Sequence, residues 1–119
     1  MEIVTEKVTS KTSVLRIKGR IDAVSAPELE KAVTGVLNEN GSGCIINLAE
    51  VDYMSSAGIR VLVLGSKIST SESGLFYVCS LQSSVKKVLE IVGFLPLLHI
   101  FADEDSAVSA AREKLSCAS

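Results

Sequence analysis

Tryptophan is missing from this 119-residue chain, and aromatic side chains make up only 4% of it. One histidine, two prolines and three cysteines are the other scarce residues, and each scarcity narrows the chemistry. The single histidine, His99, sits in the apolar run 97–101, and the turn G-x-S-x-G is absent, so a serine hydrolase relay has neither its base nor its elbow. Cys44, Cys79 and Cys117 are odd in number and form no C-x-x-C pair, which argues against a disulfide framework or a zinc site. Cys44 and Cys79 lie within apolar runs and read as buried thiols. Gly41-Ser42-Gly43 precedes a strand-like run and lacks the GK[ST] that grips a nucleotide. The expectation is a protein that is not an enzyme, with no metal and no cofactor.

Charge of one sign is also lacking. Twelve Lys and Arg face fourteen Asp and Glu, a net charge of −2, and no basic run exceeds Lys86-Lys87. Nucleic acid and anionic membrane surfaces are therefore not expected partners. No apolar stretch approaches the ~20 residues a membrane helix needs. The opening MEIVTEKV alternates and carries acids where a signal peptide would be basic and then apolar, so the expected location is cytoplasmic.

What the chain does have is 47% hydrophobic residues arranged in short periodic segments. Residues 2–8 and 13–19 read as strands joined by the polar turn Thr9-Ser10-Lys11-Thr12, a hairpin ended by Gly19. Ser25-Ala26-Pro27-Glu28 fits a capping box with proline in the first turn. Leu29, Ala32, Val33, Val36 and Leu37 follow at helical spacing, and NENGSG (38–43) stops the helix. Cys44–Leu48 suits a strand buried on both faces, followed by an acidic loop holding Glu50 and Asp52. Residues 57–70 are rich in β-branched side chains. Ile59, Leu62, Val63 and Ser66 nevertheless share one helical face, with Arg60 and Lys67 opposite, and a parallel strand to follow needs a crossover helix. LFYVC (75–79) is a third buried strand, 82–92 a helix closed by Gly93, and 97–101 a last short strand. The segment 103–115 has acids at its start and bases at its end, as a helix dipole favours.

The order ββαβαβαβα defines an α/β fold, one domain over 1–119, with a mixed, mostly parallel sheet of about five strands. Functional loops of such sheets gather beyond the carboxyl ends of the strands, which here are 19–22, 50–56 and 80–82. Asp22 and the pair Ser55-Ser56 are expected on that shared edge. A serine at a helix start reads first as a cap. It also suits a phosphoacceptor, because free N–H groups and the helix dipole stabilise a phosphate there.

At this point the chain resembles the STAS family (sulfate transporter and anti-sigma factor antagonist) in its free-standing bacterial form. NLAEVDYMSSAGIRVLV (47–63) is similar to the family's strand–loop–helix segment, and Gly19-Arg20-Ile21-Asp22 to its other signature loop. The two motifs stand in the family's order, about 30 residues apart. The resemblance implies an anti-sigma factor antagonist that binds an anti-sigma factor serine kinase and thereby frees a sigma factor. Phosphorylation of Ser56 breaks the complex, and a serine phosphatase restores it. Ser55 stands where the best-known members often have Asp, which leaves Ser55 as an alternative acceptor. The partner surface implied comprises Asp22, Asp52, Met54, Ser55, Ser56, Gly58, Ile59 and Arg60, with Ile59 and Leu95 as exposed apolar residues. Competing readings are a STAS scaffold or transporter subunit, and a small-ligand or nucleotide-binding domain using a pocket near Asp22 and Ser56.

Overall fold

Alternating apolar residues and a tight polar turn start the sheet as a hairpin. The computed structural model describes residues 1–116, and the reading of Cys117 falls outside them. Strands β1 (Glu2–Lys7) and β2 (Thr12–Ile21) pair antiparallel. The turn between them is held by Thr9 Oγ1, which accepts from the backbone N–H groups of Lys11 and Thr12. From there β3 (Gly43–Met54), β4 (Leu75–Cys79) and β5 (His99–Phe101) add in parallel, so the spatial order equals the chain order, β1-β2-β3-β4-β5. This is the mixed α/β architecture expected from the element order.

Helices α1 (Ala26–Leu37), α2 (Ser56–Ser71) and α3 (Ser83–Ile91) make the crossovers, and α4 (Glu104–Ser116) closes the chain. The strands step in one direction across the sheet, so right-handed crossovers place α1, α2 and α3 on one face. There Leu29, Val33, Leu62, Val85 and Leu89 meet Leu15, Ile17, Ile46 and Val78 in the larger core. On the other face α4 covers Val14, Ile45, Tyr77 and Cys79 with Ala107, Ala111 and Leu115. Arg16 fastens that side. Its guanidinium donates to both carboxylate oxygens of Glu104, at 2.9 and 2.7 Å, and at 2.7 Å to Glu6. Asn47 Nδ2 donates to the same Glu104 at 2.9 Å, so β1, β2, β3 and α4 share one network. Hydrogen bonding from Arg16 holds the Glu104 carboxyl below the usual carboxylate range.

Three expectations change. The third strand does not stop at Leu48 but runs to Met54, because its register against β2 slips twice: Arg16 faces Asn47, Lys18 faces Glu50, and Arg20 faces Tyr53. Three residues of β3 thus answer two of β2 at each slip. This turns Val51 and Met54 into the core and leaves Glu50 and Asp52 outside, hiding the strand from a period-2 reading. Strand β2 likewise passes through Gly19, whose φ of +109° only glycine adopts readily. Second, Ser25 at the N-cap of α1 makes no side-chain capping bond, so the expected capping box is not formed. Third, Ile59 is not an exposed partner residue. It is 3% exposed and belongs to the core, because α2 rotates its Gly58, Ile59, Val61, Leu62 and Gly65 inward. Leu95 is half-buried within the 3₁₀ turn Leu95–Leu97.

Candidate functional site

Two backbone connections assemble the site at the carboxyl edge of the sheet. Ile21 lies opposite Met54 in the β2–β3 register, and the Ser55 N–H donates to the Ile21 carbonyl at 2.8 Å. The loop after β2 and the start of α2 are thereby joined. The Asp22 loop and the serine pair thus share one edge of the sheet, as expected.

Asp22 organises its loop. Its Oδ1 accepts from the Val24 and Ser25 backbone N–H groups, both at 3.0 Å, and from the Ser25 hydroxyl at 3.1 Å. The Ser25 oxygen also accepts from the Asp22 N–H and lies 3.0 Å from the Arg20 carbonyl. The bonds from the Ser25 backbone and side chain hold the Asp22 carboxyl below its ordinary range, so it is ionised at neutral pH. Ser25 fits a capping box by sequence, and the spacing D-x-x-S is the local signal for its role as a brace for Asp22.

The two serines differ. Ser55, the N-cap of α2, is extended (φ −83°, ψ 173°) and makes no side-chain capping bond. Its Oγ is buried and has no hydrogen-bond partner. Ser56, the first helical residue, is exposed. Solvent-borne reagents therefore meet the Ser56 hydroxyl and not that of Ser55. Asp52 and Arg60 are exposed, whereas Met54, Gly58 and Ile59 are buried beneath them. The buried three shape the site. A Cβ on Gly58 would lie 2.6 Å from Ile21 Cγ2 and 2.8 Å from Met54 Cγ, so only glycine lets α2 approach β2 and β3 this closely.

Three features of this edge were not expected from sequence: a cation–π stack, an exposed valine and a tie from α3. The Arg20 guanidinium lies 4.1 Å from the Tyr53 ring centroid, a cation–π stack whose two residues face each other in the register. Val24 is 89% exposed on the braced loop. Gln82 Nε2, at the N-cap of α3, donates to the Ala49 carbonyl at 2.8 Å, and Ser84 Oγ in its first turn to that of Asp52 at 3.0 Å, tying α3 to β3. Among the described residues no group of three or more His, Cys, Asp or Glu could hold a metal ion. Nor is any helix of those residues long and apolar enough to cross a membrane.

The molecule is thus a mixed α/β domain whose carboxyl edge presents an exposed serine at a helix start, on the same edge as Asp22. The STAS domain family model matches residues 3–107, and the chain belongs to this family. It is 28% identical to BtrV of Bordetella bronchiseptica over 83% of this chain and 85% of that protein. It is 26% identical to the anti-sigma-B factor antagonist of Staphylococcus aureus, over 72% and 80% respectively. Its fold matches the anti-sigma factor antagonist SpoIIAA in its unphosphorylated form with a TM-score of 0.80 and 20% identity, over 94% of this chain and 97% of that one. SpoIIAA has also been solved in a phosphorylated form.

Proposed function

We propose that this protein is an anti-sigma factor antagonist whose partner choice is switched at Ser56. Unmodified, the edge formed by Asp22, Asp52, Ser56 and Arg60 binds an anti-sigma factor serine kinase and so releases a sigma factor. The kinase moves the γ-phosphoryl group of ATP to Ser56 Oγ, with loss of the hydroxyl proton and departure of ADP. A serine phosphatase reverses this with water, giving back serine and inorganic phosphate. The added charge of about −1.5 to −2 beside Asp22 and Asp52 makes this edge strongly negative, and binding is lost.

The observation that carries this reading is the contrast between the exposed Ser56 and the buried, unpartnered hydroxyl of Ser55. A serine that merely capped α2 would have its oxygen on a first-turn N–H, and Ser55 makes no such bond. The relatives named as anti-sigma factor antagonists support the partner class, and the phosphorylated form of SpoIIAA supports the modification. Incubation with a cognate kinase and ATP, followed by peptide mass spectrometry, is expected to find phosphate on Ser56 in the wild type and in S55A, and none in S56A. Phosphate on Ser55 alone would move the acceptor, and phosphate on neither would remove the switch.

A further inference from the structure

We infer that Arg60 is the built-in counter-charge for a phosphate on Ser56, an inference that rests on the proposed phosphorylation of that residue. Ser56 and Arg60 are four residues apart on α2, and both are exposed, while the intervening Gly58 and Ile59 face the core. Residues at this spacing lie one above the other, about 5–6 Å apart at Cβ. Side chains of a helix lean toward its N-terminus, so the long arm of Arg60 extends over the turn that begins with Ser56.

Among the described residues Arg60 is in no salt bridge, whereas Arg16 is fully engaged with Glu6 and Glu104. Arg20, the other cation of this edge, is stacked on Tyr53. Lys67 shares the outer face of α2 but lies eleven residues beyond Ser56, roughly 16 Å along the helix axis. The edge also carries the carboxylates of Asp22, on the loop joined to Ser55, and of exposed Asp52 on β3. Both repel a phosphate. Arg60 is therefore a cation outside every salt bridge among the described residues, one helical turn from the phosphate within the same helix. Its planar fork matches phosphate oxygens. The modification then does two things together: it adds a dianion and converts an exposed, available cation into an internally paired one.

The test uses the full chain with phosphoserine incorporated at position 56 during translation, so that it does not depend on any kinase. The second ionisation of the phosphate is followed by ³¹P NMR across pH at low and high salt, in the wild type, R60Q and R60K. The helix start is the same in all three and its effect cancels. The phosphate is expected to titrate about 0.3 pH unit lower in the wild type than in R60Q, as an i,i+4 ion pair implies, with R60K recovering part of the shift and high salt removing it. Coincident titrations of wild type and R60Q would overturn the pairing. Failure of a kinase to modify Ser56 would count against the switch, and the titration reads the pairing separately.

Discussion

Gly58 is where backbone chemistry, packing and the site meet, and replacing it with alanine sets two effects of opposite sign against each other. Within a helix alanine is favoured over glycine by about 1 kcal/mol. The added methyl must, however, fit 2.6 Å from Ile21 Cγ2 and 2.8 Å from Met54 Cγ. Ile21 is fully buried and β-branched, so its methyl yields less readily than the flexible Met54. Overpacking of this kind costs typically about 1–3 kcal/mol. The net expectation for G58A is a loss of about 1 kcal/mol, a fall of about 4 °C in Tm. The internal control is Gly35, in α1, where a Cβ would meet nothing within 4 Å. G35A feels only the propensity gain and is expected to rise by about 0.5–1 kcal/mol. Urea denaturation of both variants measures the difference. G58A as stable as G35A would refute the close packing of α2 on β2 and β3, and with it the positioning of Ser56 beside the Asp22 loop.

Other consequences follow from single contacts. Ser55→Ala removes a buried hydroxyl that has no partner, so it should leave stability unchanged or raise it, where loss of a true N-cap costs about 1 kcal/mol; a loss of that size in a melt would contradict the assignment. Glu104→Gln should cost about 1–2 kcal/mol by breaking the paired bonds from Arg16. Because the Glu104 carboxyl lies below its ordinary range when folded, its contribution is present above the usual carboxylate pKa and lost as pH falls through the folded value. The gap between wild type and E104Q should thus narrow in acid, and a constant gap would argue against the ion pair. Burial pushes the Cys44 thiol up to about 12 and the Cys79 thiol up to about 11, so neither should react with a thiol reagent until the chain unfolds; peptide mapping of labelled native protein checks this.

The sequence reading succeeded where one rule governed a segment. The helix α2 was legible despite its β-branched residues because a parallel strand on either side demands a crossover, and β4 was legible as an unbroken apolar run. It fell short where two rules competed. The slips in β3 break the alternation that marks a strand, so Glu50 and Asp52 read as loop although they lie within a strand. Ile59 is buried on the apolar face that the helical spacing assigns it with Leu62, against its reading as an exposed residue, and Gly58 and Gly65 let that face sit close to Ile21 and Phe76. At the site, Asp22 and the serine pair were placed on one edge by topology alone. The contrast between buried Ser55 Oγ and exposed Ser56 was not legible, because burial of one oxygen is decided by neighbours distant in sequence, and the brace from Ser25 to Asp22 competed with the capping reading of the same residue.

The most direct test of the central proposal is the affinity of this protein for an anti-sigma factor kinase, measured by titration calorimetry with the unmodified chain and with phosphoserine at position 56. The account predicts that the unmodified form binds and that the modified form binds at least tenfold more weakly, a difference of about 1.4 kcal/mol or more. Equal affinity of the two forms would contradict it.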